Sequence, residues 1–350
     1  MNPILEQCEL RKTEITYHQA MNSKHDEDEQ QRRQWGTRAW ATLSAVRTRS
    51  PLIQCITNFV SMDLMANTLL SAGASPAMLH SVEELPDFTP NADALCINVG
   101  TLSPAWLPAM KFASELAVKA GKPWVLDPVA AGASKFRMMA CLELMNLKPT
   151  VVRGNGSEII ALSKASLDSS MGVDSGHESV DAVEAAKSLA HSSGAIVAVS
   201  GAVDIVTDGK RVIGARNGVA MMQKITATGC SVTALIAAFL AVDQLHALEA
   251  TASALSIFGI AGEMGMDVAK GPASLRTHLI DSLYGLDEAA IISRIRISSL
   301  TLSNVSAPSA TCWPGGMRDR TSAIPRAFLN LPVPPVTDKC DEGLPILNTP

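Results

Sequence analysis

The sequence predicts a three-layer α/β/α domain in which helices cover both faces of a mostly parallel sheet. Short apolar segments with strand character alternate with segments of helical spacing, as in βαβ units. These strand segments are mostly apolar, which indicates strands buried on both faces. Hydrophobic residues make up 47% of the 350 residues and charged residues only 18%. The chain can therefore bury a core large enough for one α/β domain.

Strands are predicted from apolar runs that end at turn residues. The first five are Leu52 to Thr57, Ala94 to Val99, Trp124 to Leu126, the run ending at Val151-Val152, and Ala195 to Val199. Asp208-Gly209 is a strong hairpin signal between two more strands, Asp204 to Thr207 and Arg211 to Ala215. This hairpin predicts an antiparallel edge on the sheet.

Helices are predicted between the strands from apolar spacing and from residues that begin or end helices. Val60 to Ala72 has helical spacing and ends at Gly73, a typical C-cap. Pro104 begins a helix that runs to Ala120 before another glycine. The segment from Ser231 to about Ser293 is mostly helical. Its first part, Val232 to Val242, is apolar all round, which predicts a buried helix.

Composition divides the chain into three parts. Residues 1–34 are polar, without a sustained apolar period, and we expect a flexible N-terminal extension there. Residues 35–297 carry the strand and helix patterns and form the expected folded domain. Residues 298–350 hold eight of the 19 prolines, and we expect a disordered tail there.

Charge, apolar runs and cysteines argue against several classes of protein. The formal net charge of −5 disfavours nucleic-acid binding, which normally requires a basic face. The long apolar run from Val232 to Val242 is about half of the ~20 residues that cross a bilayer. The acidic N-terminal residues lack a signal-peptide pattern, and seven cysteines without a CxxC pair favour a reducing compartment. We therefore expect a cytoplasmic protein that binds neither nucleic acid nor a membrane.

Small, polar or charged residues collect where the predicted strands end. They are Thr57-Asn58, Asn98 to Gly100, Asp127-Pro128, Arg153-Gly154-Asn155 and Ser200-Gly201. Each alone is explained by ordinary turn chemistry. Ligands of open α/β sheets bind beyond the carboxyl ends of strands, so the joint occurrence of these residues favours a functional site at this edge.

The segment from Thr226 to Ser231 directly precedes the buried helix. A glycine-containing turn at a helix start presents free backbone N–H groups and the positive end of the helix dipole, which bind phosphate or a developing anion. Cys230 falls in the first turn, where the dipole is expected to lower the pKa of a thiol. The alternative is that Cys230 has no functional role and is a small buried cysteine near a helix start, which is common.

Charged residues near the strand ends add a possible phosphate and metal site. Asp127 and Glu158 both follow strands, so they can face one pocket and suit Mg²⁺, which keeps several waters and bridges phosphates. Glu158 is equally explained by dipole complementation in the first turn of a helix. Arg153 can hold a phosphate through its charged fork. The sequence contains no P-loop, no strand-linked GxGxxG, no HExxH and no GxSxG.

Seven short motifs occur in order in the middle part of the chain. They are Ser50-Pro51-Leu52 through Thr57-Asn58, Gly73 to Met78, Asn98 to Leu102, Leu126 to Val129, Arg153-Gly154-Asn155 with Glu158, Thr228-Gly229-Cys230, and Lys270-Gly271-Pro272. Together they resemble the motifs of hydroxyethylthiazole kinases, thiamine-salvage enzymes with the ribokinase-like fold. The resemblance extends neither to residues 1–34 nor to the C-terminal tail.

This resemblance implies transfer of the γ-phosphoryl group of ATP to the primary alcohol of 4-methyl-5-(2-hydroxyethyl)thiazole. The site residues that it implies are Cys230 for catalysis, Met78 and Ala227 for the substrate, Arg153 and Ser200 for ATP, and Asp127 and Glu158 for Mg²⁺. Cys230 would accept or position the alcohol proton, where most ribokinase-like enzymes have an aspartate. The resemblance also implies a homotrimer with active sites between subunits.

The chain departs from the family pattern at two positions. Ala227 stands where relatives often have glycine, which would tighten the pocket, and Ser200 keeps the hydroxyl of the usual threonine. Asn58 is a candidate substrate contact or a residue that stabilises the turn. Two other functions stay open: a ribokinase-like kinase for another small alcohol, against which Cys230 argues, and a non-catalytic protein that binds a thiazole or nucleotide.

Overall fold

The computed structural model of the chain describes residues 29–171 and 182–300, which belong to one compact unit. The predictions for residues 1–28 and 301–350 lie outside the described residues. Residues 29–34 are the start of a helix that continues to residue 49, and residues 297–299 form a strand. Both expected boundaries of the folded domain, at 35 and at 297, therefore fall inside an element of secondary structure.

The described residues contain nine strands that form one sheet. The strands are β1 (Leu52–Ile56), β2 (Ser75–Ala77), β3 (Ala94–Asn98), β4 (Trp124–Asp127), β5 (Val151–Asn155), β6 (Ile196–Ser200), β7 (Asp204–Thr207), β8 (Val212–Ala215) and β9 (Ile297–Ser299). Their order in the sheet is β2-β1-β3-β4-β5-β6-β7-β8-β9. The pairs from β2 to β6 are parallel and those from β6 to β9 are antiparallel, so the mostly parallel sheet with an antiparallel edge is confirmed.

Helices pack on both faces of this sheet. They are α1 (29–49), α2 (Met62–Ala72), α3 (Leu85–Phe88), α4 (Leu107–Lys119), α5 (Lys135–Met145), α6 (Gly156–Met171), α7 (Ala182–Ser193), α8 (Thr228–Val242), α9 (Ala247–Val268), α10 (Pro272–Gly285) and α11 (Glu288–Arg294). One apolar core joins α1, α2 and α8 to α11 with one face of the strands. A second core joins α3 to α7 with the opposite face. The predicted three-layer α/β/α fold is confirmed.

Strand β3 shows how the sequence supplies two cores at once. Successive side chains of a strand point to opposite faces. Ala94 and Cys96 belong to the core with α8, whereas Leu95 and Ile97 belong to the core with α4. All five residues of β3 are buried, which explains why the strand is apolar throughout until it reaches Asn98.

The sheet differs from the sequence prediction at both edges and in β5. Strand β2 contains Pro76, which has no N–H for a ladder and is tolerated because β2 is an edge strand. Strand β9 forms the other edge and was not predicted. Strand β5 continues through Arg153 to Asn155 instead of ending at Val152. Arg153 therefore extends from a rigid strand rather than from a loop.

One described helical segment, Gln244–Val268, is long and apolar enough to cross a membrane by length and composition alone. The sequence expectation, which considered Val232 to Val242, overlooked it. In the fold, 78% of the apolar window of this segment is buried, and α9 packs against α8 and α10. The apolar surface of α9 is therefore used in the core. Helix α8 is also buried, as predicted, from Ser231 to Leu240.

Candidate active site

The carboxyl ends of the parallel strands meet at one edge of the sheet, as the sequence predicts. Along this edge the predicted residues follow the strand order: Met78 after β2, Asn58 after β1, Asn98 at the end of β3, Asp127 at the end of β4, Arg153 in β5 and Ser200 at the end of β6. Helix α8 packs against β1, β3 and β4, and its amino end carries Cys230. The structure therefore collects residues that are far apart in sequence around the start of one buried helix.

The amino end of α8 is held by the turn before it. The hydroxyl of Thr228 lies 3.2 Å from the carbonyl oxygens of both Met222 and Ile225. The first helical hydrogen bond runs from the N–H of Ser231 to the carbonyl of Ala227, at 2.9 Å. The N–H groups of residues 228–230 precede that bond and have no intrahelical acceptor. They form, with the helix dipole, a site for an anion.

Ala227 takes a left-handed backbone conformation, with φ of 71° and ψ of 6°. For a residue with a Cβ this conformation costs roughly 1–2 kcal/mol. Glycine adopts it freely, which gives a physical reason for the glycine that the family resemblance implies here. The strain at Ala227 is a property of the turn that begins α8.

Buried polar side chains connect Cys230 to Asp127, the last residue of β4. Asn58 Nδ2 lies 3.5 Å from Cys230 Sγ and donates to Asn98 Oδ1 at 2.8 Å. Asn98 Nδ2 donates to Asp127 Oδ2 at 2.7 Å, and the Thr233 hydroxyl donates to the same oxygen at 2.9 Å. The thiol and the carboxylate therefore belong to one hydrogen-bonded network.

Asp127 is buried, and its surroundings shift the pKa of its carboxyl group in opposite directions. The pKa of Asp127 is raised from 3.8 to about 6, chiefly by burial and in smaller part by the charge of Glu158. The positive charge of Arg153 and the hydrogen bonds from Thr233 and Asn98 act in the opposite direction. A cation at this carboxylate would favour its charged form.

The expected lowering of the pKa of Cys230 is wrong. Burial raises the pKa of this thiol, and the neighbouring Asp127 carboxylate raises it further. The hydrogen bonds from Asn58 and Asn98 and the charge of Arg153 only partly oppose these effects. The sequence interpretation considered only the helix dipole, whereas the burial and the carboxylate come from tertiary structure. Cys230 is therefore a thiol rather than a thiolate at neutral pH.

Glu158 lies at the start of α6 and uses both carboxylate oxygens to bind backbone N–H groups. Oε1 accepts from Ala130 and Oε2 accepts from Asn155, each at 2.8 Å. The Asn155 side chain accepts in return from the N–H of Glu158 at 2.9 Å. Glu158 therefore holds the loop after β4 against the junction of β5 and α6.

Asp127 and Glu158 fit a Mg²⁺ ion that is bound partly through water and phosphate. Their proximity contributes, after burial, to the raised pKa of Asp127, and a cation between them would relieve that repulsion. Each oxygen of Glu158 has a second lone pair beyond its backbone hydrogen bond. Within the described residues no three or more His, Cys, Asp or Glu side chains form a metal cluster, so this pair suits a metal that keeps waters.

Arg153 and Ser200 form the side of the site next to the amino end of α8. The hydroxyl oxygen of Ser200 accepts from Arg153 Nε at 3.1 Å and from Nη2 at 2.6 Å. A Cβ on Gly229 would lie 2.8 Å from Arg153 Nη1. The missing side chain of Gly229 thus lets the guanidinium approach the first turn of α8.

A cavity of about 600 Å³ opens beside Arg153. Its wall includes Ser200, Asp204, Gly218, Thr228 and Phe258, so the cavity extends from the amino end of α8 to α9. Burial raises the pKa of Asp204 to about 6, and Asp204 Oδ1 accepts from the N–H of Gly201 at 3.0 Å. Asp204 was not predicted as a site residue, because at a strand start it resembles any turn aspartate.

The residue that anchors the loop before α8 is not among the residues predicted from the sequence. Glu263 on α9 is buried, and its Oε1 accepts from Asn217 Nδ2 at 3.2 Å, from the N–H of Gly218 at 2.9 Å and from Arg296. Asn217 and Gly218 line the cavity. A glutamate inside an apolar helix was the available signal, since a buried carboxylate requires partners.

Met78 lies immediately after β2 and is partly buried. It packs against the core cluster that includes α8, as Cys230 also does. The side-chain amide of Gln54 donates to the carbonyl of Leu79 at 3.2 Å and ties this segment to β1. Met78 is therefore placed on the apolar side of the site, away from the cavity beside Arg153.

The chain is similar to hydroxyethylthiazole kinases in sequence and in structure. A family model described as the hydroxyethylthiazole kinase family matches residues 43–289. The hydroxyethylthiazole kinase of Arabidopsis thaliana is 66% identical over 280 residues, which is 80% of this chain and 100% of the relative. That of Zea mays is 66% identical over 267 residues, which is 75% of this chain and 94% of the relative.

A solved structure of a hydroxyethylthiazole kinase protein from Pyrococcus horikoshii OT3 has the same fold. The match has a TM-score of 0.70 and a sequence identity of 40%, and it covers 76% of this chain and 100% of that chain. These similarities agree with the resemblance that the seven motifs carry.

Proposed function

The chain belongs to the hydroxyethylthiazole kinase family, and from that premise we propose how its own residues perform the reaction. The reaction is ATP-dependent phosphorylation of the hydroxyl of 4-methyl-5-(2-hydroxyethyl)thiazole in thiamine salvage. The observation that carries the residue assignment is the network from Cys230 to Asp127 at the amino end of α8, beside Arg153. It brings a group for the alcohol, a metal-binding carboxylate and a phosphate-binding cation to one place.

We assign the cavity beside Arg153 to ATP. The guanidinium of Arg153 and the first-turn N–H groups of α8 stabilise negative charge on the phosphates, which phosphoryl transfer requires most. Ser200 holds the guanidinium in that position. The volume of about 600 Å³ falls in the range of small-molecule sites.

We assign Cys230 to the alcohol. A thiol that keeps its proton cannot act as a base, so Cys230 accepts a hydrogen bond from the alcohol at Sγ and orients its oxygen toward the γ-phosphorus. The alcohol oxygen then forms a bond to phosphorus while its proton passes to an oxygen of the transferred phosphoryl group and from there to water. The bond from phosphorus to the oxygen shared with the β-phosphate breaks to release ADP. Positioning supplies much of the rate in such a loose transition state. Met78 and Ala227 contact the thiazole on the apolar side.

Asp127 and Glu158 would hold Mg²⁺, which neutralises phosphate charge when it is bound. Asp127 accepts a hydrogen bond from Thr233 in the first turns of α8. Glu158 accepts hydrogen bonds from the backbone N–H groups of Ala130 and Asn155. Their own contribution is to keep two carboxylates fixed near Arg153. This arrangement supports a metal that is shared with the nucleotide.

We also propose that the protein acts as a homotrimer in the cytoplasm, without a membrane or nucleic acid. Family membership supports the trimer. Phe59 and Val60, which directly follow Asn58, are 65% and 62% exposed, and a second subunit would cover such apolar residues at the site. Light scattering on the purified protein tests the assembly, and a monomer at micromolar concentration would contradict it.

A kinase assay with purified full-length protein tests the function. The thiazole alcohol, a hydroxymethylpyrimidine and a sugar are each offered with ATP and Mg²⁺, and product phosphate esters are measured. We expect turnover of the thiazole alcohol alone. Turnover of another alcohol favours a different ribokinase-like kinase, and binding without turnover favours a non-catalytic protein.

Cys230→Ala separates positioning for the reaction from binding. We expect kcat to fall by about tenfold or more, while the Kd of the thiazole alcohol from calorimetry changes less than about threefold. Cys230→Ser, which keeps a hydrogen-bonding group, should retain more activity. Equal losses in Kd and in kcat/KM would contradict the assignment of Cys230.

A further inference from the structure

Asn98 is a buried polar residue that ends an otherwise apolar strand. It is 0% exposed, and the other four residues of β3 are alanine, leucine, cysteine and isoleucine. A buried amide costs free energy unless its donors and acceptors have partners. The Asn98 side chain has such partners on both of its polar atoms, and they belong to opposite sides of the site.

Backbone N–H groups fix the direction of the network through Asn98. The N–H of Gly100 donates to Asn98 Oδ1 at 2.9 Å, so Asn98 Nδ2 must face Asp127. The N–H of Val60 donates in the same way to Asn58 Oδ1 at 3.1 Å, so Asn58 Nδ2 faces Asn98 and Cys230. Asn58 Nδ2 therefore donates to Cys230 on one side and to Asn98 on the other, and Asn98 Nδ2 donates onward to Asp127.

The backbone after β3 is shaped to let Asn58 approach. A Cβ on Gly100 would lie 2.8 Å from both Cβ and Nδ2 of Asn58. The hydroxyl of Thr101, which follows, accepts from the N–H of Phe59 at 3.3 Å. The loops after β1 and β3 are thus locked together, and Asn98 is the side chain that joins both loops to β4.

We propose that Asn98 is a positioning residue for phosphoryl transfer. It holds the Sγ of Cys230, both through Asn58 and by its own amide, at a fixed place relative to Asp127. Cys230, which binds the alcohol, and Asp127, on the phosphate side of the site, then keep a fixed separation during the reaction. Asn98 itself touches neither the alcohol nor ATP. This inference rests on the proposed roles of Cys230 and Asp127.

Asn98→Ala and Asn98→Ser test the proposal in the full-length protein, with kcat, both KM values and Tm as readouts. We expect kcat to fall by about tenfold or more, because small displacements of reacting groups are costly, while both KM values change less than about threefold. Asn91→Ala is the matched control, since Asn91 is exposed and donates to the carbonyl of Asp87. A folded Asn98 variant with kcat within about twofold of wild type overturns the proposal.

A double-mutant cycle separates positioning through Asn58 from a general loss of stability. Asn58→Ala is combined with Asn98→Ala. If Asn98 acts through Asn58, the double variant is no slower than the slower single variant, since both remove the same connection. Losses in kcat that multiply overturn the proposal.

Alkylation of Cys230 gives a readout that does not depend on turnover. Its rate with iodoacetamide is followed by peptide mass spectrometry, because other cysteines are present. We expect Asn98→Ala and Asn58→Ala to change this rate by about threefold or more, and Asn91→Ala to leave it unchanged. An unchanged rate in both network variants overturns the proposal. If Asn98 variants do not fold, Asn58→Ala decides by the same two readouts.

The wild-type protein distinguishes failure of this inference from failure of the proposed function. If wild type phosphorylates no thiazole alcohol, the function is wrong, and the alkylation rates still decide whether Asn98 positions Cys230. If wild type turns over normally and the Asn98 variants do too, only the positioning role is wrong.

Discussion

The guanidinium of Arg153 donates two hydrogen bonds to the hydroxyl oxygen of Ser200, from Nε at 3.1 Å and from Nη2 at 2.6 Å. The two residues lie diagonally across paired strands, since the register of β5 and β6 places Arg153 opposite Ala198 and Asn155 opposite Ser200. The third guanidinium nitrogen, Nη1, lies over Gly229. Ser200 therefore keeps Arg153 turned toward the amino end of α8, where we place the ATP phosphates.

Ser200→Ala should weaken ATP binding because it frees the guanidinium of Arg153. A hydrogen bond to a charged group contributes about 1.5–3 kcal/mol when it is buried, and Arg153 is only partly buried. We expect the KM for ATP to rise by about three- to tenfold with little change in the KM for the alcohol. Ser200→Thr, which keeps the hydroxyl, is the control and should stay close to wild type. Steady-state kinetics with each substrate varied checks this, and an unchanged KM for ATP in Ser200→Ala would argue against the role of Ser200.

Gly229→Ala should disturb the same guanidinium from the other side. The new Cβ would lie 2.8 Å from Arg153 Nη1, and contacts this short force the guanidinium to move. Since Arg153 ends in a flexible chain, we expect a small loss of Tm but a rise of about tenfold in the KM for ATP. Gly285→Ala is the control, because a Cβ there meets no atom within 4 Å. Equal kinetics for the two variants would contradict the close packing of Arg153 on α8.

The predicted fold depended on residues whose local pattern and tertiary role agree. The runs that became β1, β3, β4 and β6 are mostly apolar because both faces are buried, so the sequence marks them clearly. Strand β2 was missed since three residues that include Pro76 carry no period. Strand β9 was missed because its few residues adjoin a proline-rich segment. Short edge strands obtain their structure from the neighbouring strand rather than from their own pattern.

The site could be predicted only as far as strand ends indicate it. Parallel strands bring Asn58, Asn98 and Asp127 to one edge whatever their side chains do, so their shared location follows from the pattern. The hydrogen-bond partner of each polar atom does not follow from the sequence pattern. Glu158 on α6 accepts from the N–H of Ala130 in the loop after β4, a contact that no local spacing indicates. Burial and the Asp127 carboxylate likewise raise the pKa of Cys230. Both effects come from the tertiary fold, whereas the local sequence indicates only the helix dipole.

Glu158→Gln should raise the Mg²⁺ concentration that activity requires. The glutamine has one acceptor oxygen, so it keeps the hydrogen bond from Ala130 or from Asn155 but not both, and it loses the charge that a cation needs. We expect the Mg²⁺ needed for half-maximal rate to rise by about threefold or more, with a stability loss of about 1 kcal/mol. Glu143→Gln, at an exposed ion pair with Lys111, is the control. A lower Tm with unchanged Mg²⁺ dependence would restrict Glu158 to holding the loops.

Asp127→Asn should make the folded protein more stable at pH 8 although it impairs the reaction. Burial raises the pKa of Asp127 to about 6 from 3.8, so the folded state favours the protonated carboxyl. The stability that protonation provides is present below pH 4 and is lost as the pH rises to about 6. One pKa unit corresponds to about 1.4 kcal/mol, so the ionised carboxylate costs up to about 3 kcal/mol of the free energy of unfolding at pH 8.

Asparagine keeps the size of Asp127 and an oxygen that accepts from Asn98 and Thr233, but it carries no charge. Urea unfolding should therefore show Asp127→Asn about 1–3 kcal/mol more stable than wild type at pH 8, with a difference that shrinks as the pH falls toward about 4. Asp281→Asn, at an exposed position of α10, should show no such trend. If Asp127→Asn is instead less stable than wild type at pH 8, the charge of Arg153 and the hydrogen bonds outweigh burial, and the carboxylate stabilises the fold in its ionised form.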